Sequence, residues 1–236
     1  MHFHIITLFP KAFDSYLGES ILKRAIEDKK IKVSFYNPRD FVKDKNKRID
    51  KPPYAGGPGM VIQAEPVIKA LEKALIRSKE KGVGGKKKGV RSKEYEIKRG
   101  KGEDFKIIFL SPSGKQFTNA YATTCAKKYK NIIIISGRYE GIDARVRKVF
   151  KTEAISVGPF VLTGGELPAM IILDVISRQV SGVLGNFDSI EEKRISSSEV
   201  YTRPEVFKYK GKDYRVPKVL LSGHQAKIEA WKQKKG

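Results

Sequence analysis

Four consecutive isoleucines, Ile132–Ile135, lie between Asn131 and Ser136-Gly137, and they constrain the fold more than any other feature. The run is far too short for a bilayer, which takes about 20 apolar residues. It lacks the apolar–polar alternation of a strand with one wet face. It therefore reads as a strand buried on both sides, the signature of a parallel sheet. Similar short strands are expected at Phe3–Leu8, Ile31–Tyr36, Lys106–Leu110 and Glu153–Val157. Between them, apolar residues at helical spacing predict helices over Phe13–Lys29, Glu65–Arg77, Phe117–Lys130 and Leu167–Val180. Pro66 suits the first turn of the second of these. Strands alternating with helices predict an α/β fold with helices on both sheet faces.

The 236 residues suit one large domain or one domain with a small companion, and 40% hydrophobic content supplies a core. Composition shifts to Gly, Asn, Asp, Ser and charges over residues 182–198, which read as a linker. That divides the chain into 1–181, the linker, and a small C-terminal domain, 199–236. The last piece holds a Lys/Tyr-rich hairpin candidate centred on Gly211 and a final helix from Gln225. Residues 78–106 break the rhythm, with eleven Lys/Arg, five Asp/Glu and six glycines, and read as a flexible basic insertion.

Charge narrows the partner. With 48 Lys+Arg against 26 Asp+Glu, the net charge of +22 favours a polyanion, nucleic acid before a membrane surface. The single cysteine, Cys125, excludes a disulfide framework and a Cys-based zinc site. It sits in an expected helix as a buried structural thiol. His2, His4 and His224 are too scattered for a metal cluster. The N-terminus lacks the basic start and long apolar run of a signal peptide, so a soluble cytoplasmic protein is expected.

Chemistry is expected in three loops at strand C-terminal ends, Ser111–Gly114, Gly137–Gly141 and Gly158–Gly165, where open α/β sheets bind ligands. Their glycines allow close approach to the backbone. A G-x-x-x-x-G-K-[ST] loop is absent, as is G-x-G-x-x-G after the first strand, which argues against NTP hydrolysis and ordinary dinucleotide binding. Asp174 and Arg178, four apart on an expected helix, read on spacing alone as an intrahelical ion pair.

Several segments carry a resemblance. They include Leu8-Phe9-Pro10, Asn37-Pro38-Arg39-Asp40-Phe41, Pro53-Tyr54-Ala55-Gly56-Gly57-Pro58-Gly59-Met60 and Leu110-Ser111-Pro112. Gly137-Arg138-Tyr139-Glu140-Gly141-Ile142-Asp143, Leu162-Thr163-Gly164-Gly165-Glu166-Leu167-Pro168-Ala169-Met170, Gly182-Val183-Leu184-Gly185 and Tyr201-Thr202-Arg203-Pro204 follow in order. The chain resembles the bacterial tRNA (guanine-37-N1)-methyltransferases of the TrmD type, in the SPOUT superfamily. The resemblance implies a parallel sheet with a deep trefoil knot and a homodimer with each active site at the interface. S-adenosylmethionine would be the methyl donor and tRNA the partner, with no membrane. Donor contacts would come from Ser111, Pro112, Gly137, Tyr139, Glu140 and Gly141. Further contacts would come from Ser156, Val157, Gly158, Pro159, Phe160, Val161, Leu162, Gly164 and Gly165. The resemblance puts tRNA contacts at Tyr54, Pro58, Gly59, Tyr201 and Arg203. Magnesium is associated with the family, but no cluster here identifies a site for it.

The same resemblance gives Arg178 the task of stabilising guanine O6 and assigns the N1 proton to an aspartate after the GVLG segment. Asn186-Phe187-Asp188-Ser189-Ile190 follows that segment directly, a shorter approach than the family's, and Asp188 is the expected base. Aligned without a gap, Lys193 takes that place and leaves Glu191 or Glu192 as substitutes. The 78–106 segment exceeds the family's connection, and the chain ends soon after Trp231, without the family's further C-terminal helices. The alternatives are another SPOUT activity, such as ribose 2′-O-methylation, or a non-catalytic RNA-binding relative.

Overall fold

In the computed structural model, residues 1–54, 56–79, 104–184 and 199–234 are described. The isoleucine run forms β6 (Asn131–Ile135), every residue of it buried. It lies in the middle of a five-stranded sheet with β1 (His2–Ile6), β2 (Lys32–Tyr36), β5 (Phe105–Gln116) and β7 (Glu153–Ser156), in the order β2-β1-β6-β5-β7. All four pairings are parallel. Alternate isoleucines face opposite layers. Ile132 and Ile134 pack with Phe3, Phe13, Leu22 and Ile172 on one side. Ile133 and Ile135 pack with Ile6, Leu71, Ala74 and Val146 on the other. Each buried isoleucine contributes roughly 1.5–3 kcal/mol relative to exposure, which favours this strand as the sheet's centre.

The first layer carries α1 (Asp14–Leu17), α2 (Ser20–Glu27), α4 (Asn119–Lys128) and α6 (Glu166–Arg178). The second carries α3 (Ala64–Lys79) and α5 (Arg145–Val149). A small ribbon, β3 (Asp50–Lys51) with β4 (Val61–Ile62), precedes α3.

Three local expectations change. The helix expected over Phe13–Lys29 is two short helices after a 3-10 turn at Pro10–Phe13. Gly18 ends the first by donating to the Asp14 carbonyl at 2.9 Å, and Glu19 is extended, yet Phe13, Leu17 and Leu22 stay buried. Ser111–Gly114 is an irregularity inside β5 and not a turn: Leu110 and Lys115 both pair with Ile155. The strand can rejoin its partner there because Gly114 has no Cβ, which would stand 2.5 Å from the Ile155 nitrogen. The edges of the expected insertion are regular, since α3 runs to Lys79 and β5 begins at Phe105. The rest of that segment, 80–103, and linker residues 185–198 lie outside the described residues.

His2 and His4 are buried on the sheet, with their rings 3.8 Å apart. His4 hydrogen-bonds the Tyr36 hydroxyl and Asn131, and His2 meets Ser34. Burial pushes the Cys125 thiol up to about 11, as expected of a structural cysteine. Across β5 and β7, Lys106 pairs with Glu153 at 2.5 Å, and the Tyr121 hydroxyl donates to the same oxygen at 3.0 Å. Burial alone would raise the Glu153 pKa, but the bonds from Lys106 and Tyr121 together hold it below the ordinary value. A depressed carboxylate stabilises the fold above the unfolded pKa, and this stability is lost as pH falls through the folded one. Glu153→Gln should therefore cost about 1 kcal/mol at neutral pH in urea denaturation. The difference from the unsubstituted protein should vanish below the usual glutamate range.

The chain divides into two compact units, Met1–Val183 and Leu184–Gly236. In the second, β8 (Val206–Tyr209) and β9 (Lys212–Arg215) form the hairpin expected around Gly211. Lys210 and Gly211 both have positive φ, 47° and 77°, the mirror turn that suits strand twist. Two helices follow, α7 (Lys218–Leu221) and α8 (Gln225–Lys234). No helix among the described residues is long and apolar enough to cross a membrane.

Candidate functional site

Where β6 and β7 end and β5 is interrupted after Leu110, the backbone opens into a cleft of about 400 Å³. Of the expected donor contacts, Ser111, Pro112, Gly137, Tyr139, Glu140 and Gly141 line it. Ser156, Val157, Phe160, Val161, Leu162, Gly164 and Gly165 also line it. Gly158 and Pro159 are not on its wall. Gly158 instead shapes the turn behind it, where the Ser156 hydroxyl donates to its carbonyl at 2.9 Å. A Cβ on Gly158 would collide with the Phe160 ring.

The wall also includes Phe109, Leu110, Ile142, Ile155 and Pro168, outside the expected loops, and Arg138 and Thr163, inside them but not among the expected donor contacts. Arg138 was within reach, since it stands inside the GRYEGID segment. Its guanidinium organises the floor. Nε donates to Glu166 at 2.8 Å, a terminal nitrogen reaches the Thr163 carbonyl at 3.2 Å, and the group lies 4.7 Å over the Phe9 ring. Glu166, only 3% exposed, accepts a second bond from the Thr7 hydroxyl at 2.7 Å. It occupies the first turn of α6, where a carboxylate suits the helix dipole. Three segments thus meet at one buried carboxylate: the end of β1, the loop after β6 and the start of α6. Gly165 draws them closer still. Its N–H donates to the Gly137 carbonyl at 2.9 Å, and a Cβ there would stand 2.8 Å from Ser136 Cα.

The glycine-rich segment before β4 is fastened to the same wall. Glu140 donates its N–H to the Met60 carbonyl, and Ile62 and Asp143 bond to Gly141 and Ile62 respectively, each at 3.0 Å. Gly59, at φ +88°, is placed so that a Cβ would strike the Glu140 side chain. Tyr54 on this segment is 97% exposed, and Pro58 is exposed with it.

Other expected residues stand elsewhere. Arg178 ends α6, ten residues beyond Pro168 of the cleft wall and so about 15 Å farther along the helix. Asp174, read on spacing as its ion-pair partner, accepts a 2.6 Å bond from the Tyr16 hydroxyl. In the second unit the Tyr201 hydroxyl donates to Glu199 and its ring lies 6.2 Å from Trp231, while Arg203 is exposed ahead of Pro204. Asp188, Glu191, Glu192 and Lys193 lie outside the described residues. Among the described residues, no group of three or more His, Cys, Asp or Glu could hold a metal ion.

Known proteins resemble this chain along its whole length. A family model described as tRNA (Guanine-1)-methyltransferase TrmD matches residues 1–236. A tRNA (guanine-N(1)-)-methyltransferase of Caldanaerobacter subterraneus subsp. tengcongensis is 42% identical over 100% of this chain and 86% of its own length. Enzymes of the same name from Campylobacter jejuni subsp. doylei and Clostridioides difficile are each 38% identical. They cover 98% and 99% of this chain, and 90% and 91% of their own lengths.

Proposed function

Because the chain belongs to the tRNA (Guanine-1)-methyltransferase TrmD family, we propose that it methylates N1 of guanosine-37 in tRNA, using S-adenosylmethionine, in the cytoplasm. The observation that carries this reading is the cleft formed where the Gly137–Gly141 and Phe160–Gly165 loops meet Ser111 and Pro112. Its volume suits a ligand the size of a nucleoside joined to an amino acid. The donor fits these residues in a further respect. Gly141, at φ +119°, has nothing within 4 Å of where a Cβ would stand, so its backbone is open to close approach.

S-adenosylmethionine supplies a methyl carbon made electrophilic by its sulfonium. The protein's part concerns the nucleophile. Guanine N1 carries a proton at neutral pH and attacks only as that proton leaves. Asp188 takes the proton, and the electron pair left on N1 would form the new bond to the methyl carbon as the carbon–sulfur bond breaks, its electron pair returning to sulfur to leave a neutral thioether. Negative charge grows on O6 meanwhile, and the Arg178 guanidinium, always ionised, donates to it. The nucleotide must leave its stack to enter such a site. Mg²⁺, associated with the family, is assigned no ligands among the described residues.

Two further elements belong to this reading. One is a homodimer with shared active sites. Phe160 is 51% and Val161 82% exposed, and Leu167 and Ile171 extend an uncovered apolar face beside the cleft. Arg178, about 15 Å along α6 from its own chain's cleft wall, would then serve the partner's. The other is the trefoil knot, favoured by the way the chain after β7 is bound back to Gly137 and Arg138. Residues 1–181 would form the knotted donor domain, and 199–236, with Tyr201 and Arg203, would grip tRNA alongside Tyr54, Pro58 and Gly59.

The deciding experiment incubates the protein with labelled donor and tRNA transcripts bearing guanosine or adenosine at position 37. Transfer to the guanosine transcript alone, with 1-methylguanosine in the digest, is expected. No transfer would favour the non-catalytic relative. Label on ribose would favour the 2′-O activity.

A further inference from the structure

The β8–β9 hairpin exposes aromatic rings in a place that invites a ligand. Phe207 and Tyr209 share one face of β8, and Phe207 pairs across the ribbon with Tyr214. The Phe207 and Tyr209 rings are 6.4 Å apart and within 9° of parallel, and Tyr214 lies 6.4 Å from Phe207. All three are more than half exposed. A two-stranded ribbon gains little stability from rings left in water.

The surrounding charge identifies the occupant. Lys208, Lys210 and Lys212 are exposed on the same ten-residue ribbon, and Lys210 lies 5.4 Å over the Tyr209 ring. Its only carboxylate, Asp213, is bound to Arg215 at 2.8 Å. Protein–protein contact surfaces are depleted in lysine. Aromatic rings set among cations are instead the means by which proteins hold single-stranded nucleic acid, with bases on the rings and phosphates on the cations.

We propose that the Phe207–Tyr209–Tyr214 face stacks unpaired bases of the RNA substrate, with Lys212, on the same face opposite Tyr209, and Lys210 in the turn on neighbouring phosphates. The identity of that RNA as tRNA rests on the function proposed above. Stacking has a property that phosphate contact lacks: it releases no counterions, so its loss leaves the salt dependence of binding unchanged.

The test uses full-length protein and a tRNA transcript, with Kd measured across a salt series. Tyr209→Leu and Tyr214→Leu should each raise Kd roughly 10-fold without changing the slope of log Kd against log salt. Tyr209→Phe and Tyr214→Phe, which keep the ring, should bind like the unsubstituted protein. Lys212→Ala should reduce the magnitude of the slope by about 1. Unchanged binding in both leucine variants would overturn the proposal. So would a shift toward monomer in sedimentation accompanying the loss, which would make the face a contact between two copies. Methyl transfer by the unsubstituted protein is scored separately. Its absence would refute the enzymatic reading but leave the ring-dependent binding result standing.

Discussion

Asp188→Ala should slow single-turnover methyl transfer by roughly 10²–10⁴-fold, the range spanned by a positioned general base. The size of the effect follows from N1 itself, which has no free electron pair for attack until a base accepts its proton. Donor affinity should barely move, because that binding is assigned to the glycine-lined cleft and to no residue of the 182–198 segment. The measurement is a quench-flow time course at saturating tRNA, paired with a donor titration. A fall in rate with an unchanged donor Kd is expected, along with a shift in the pH–rate profile. An Asp188→Ala protein of full activity would move the role to Glu191 or Glu192. Arg178→Ala should match the loss in rate but not the altered pH profile, since a guanidinium does not titrate in the accessible range.

Glu166→Ala should lower folding stability by about 2–4 kcal/mol, less than a fully buried pair because Arg138 is partly exposed. The carboxylate accepts from Thr7 and Arg138 at once, so its removal leaves a guanidinium and a hydroxyl facing a void. In urea the midpoint should fall by about 1–2 M. Glu166→Gln should suffer nearly as much, because its amide cannot accept from both donors without presenting its own NH₂ to one of them. Donor binding should weaken as well, since Arg138 also holds the Thr163 carbonyl and with it one wall of the cleft. A double-mutant cycle with Arg138→Met isolates the pair, and a coupling below about 0.5 kcal/mol would refute the assignment.

The parallel sheet could be read from residue order because short segments rich in apolar residues alternate with segments of helical period, and Gly or Pro closes several of them. β6 is the clearest example. α5 could not be, since five residues give periodicity too little to repeat. Nor could the β5 irregularity, where Ser-Pro-Ser-Gly has the composition of a turn but the parallel partner continues past it. The cleft was legible through its glycines. The clamp beneath it was not, because Arg138 and Glu166 are 28 residues apart and each looks like a surface charge until the fold brings them together. Nor could spacing show that the Tyr16 hydroxyl, 158 residues away, donates to Asp174.

The ladder joining Met60 and Ile62 to Glu140, Gly141 and Asp143 has a thermodynamic consequence. One end of it carries the cleft wall, and the other carries the exposed segment of Tyr54 and Pro58. Two ligands that touch the same ladder cannot bind independently if either one stiffens it. Whatever factor the smaller ligand adds to the affinity for the larger, the larger must add to the affinity for the smaller. The ordering entropy of the shared backbone is spent only once, by whichever ligand arrives first.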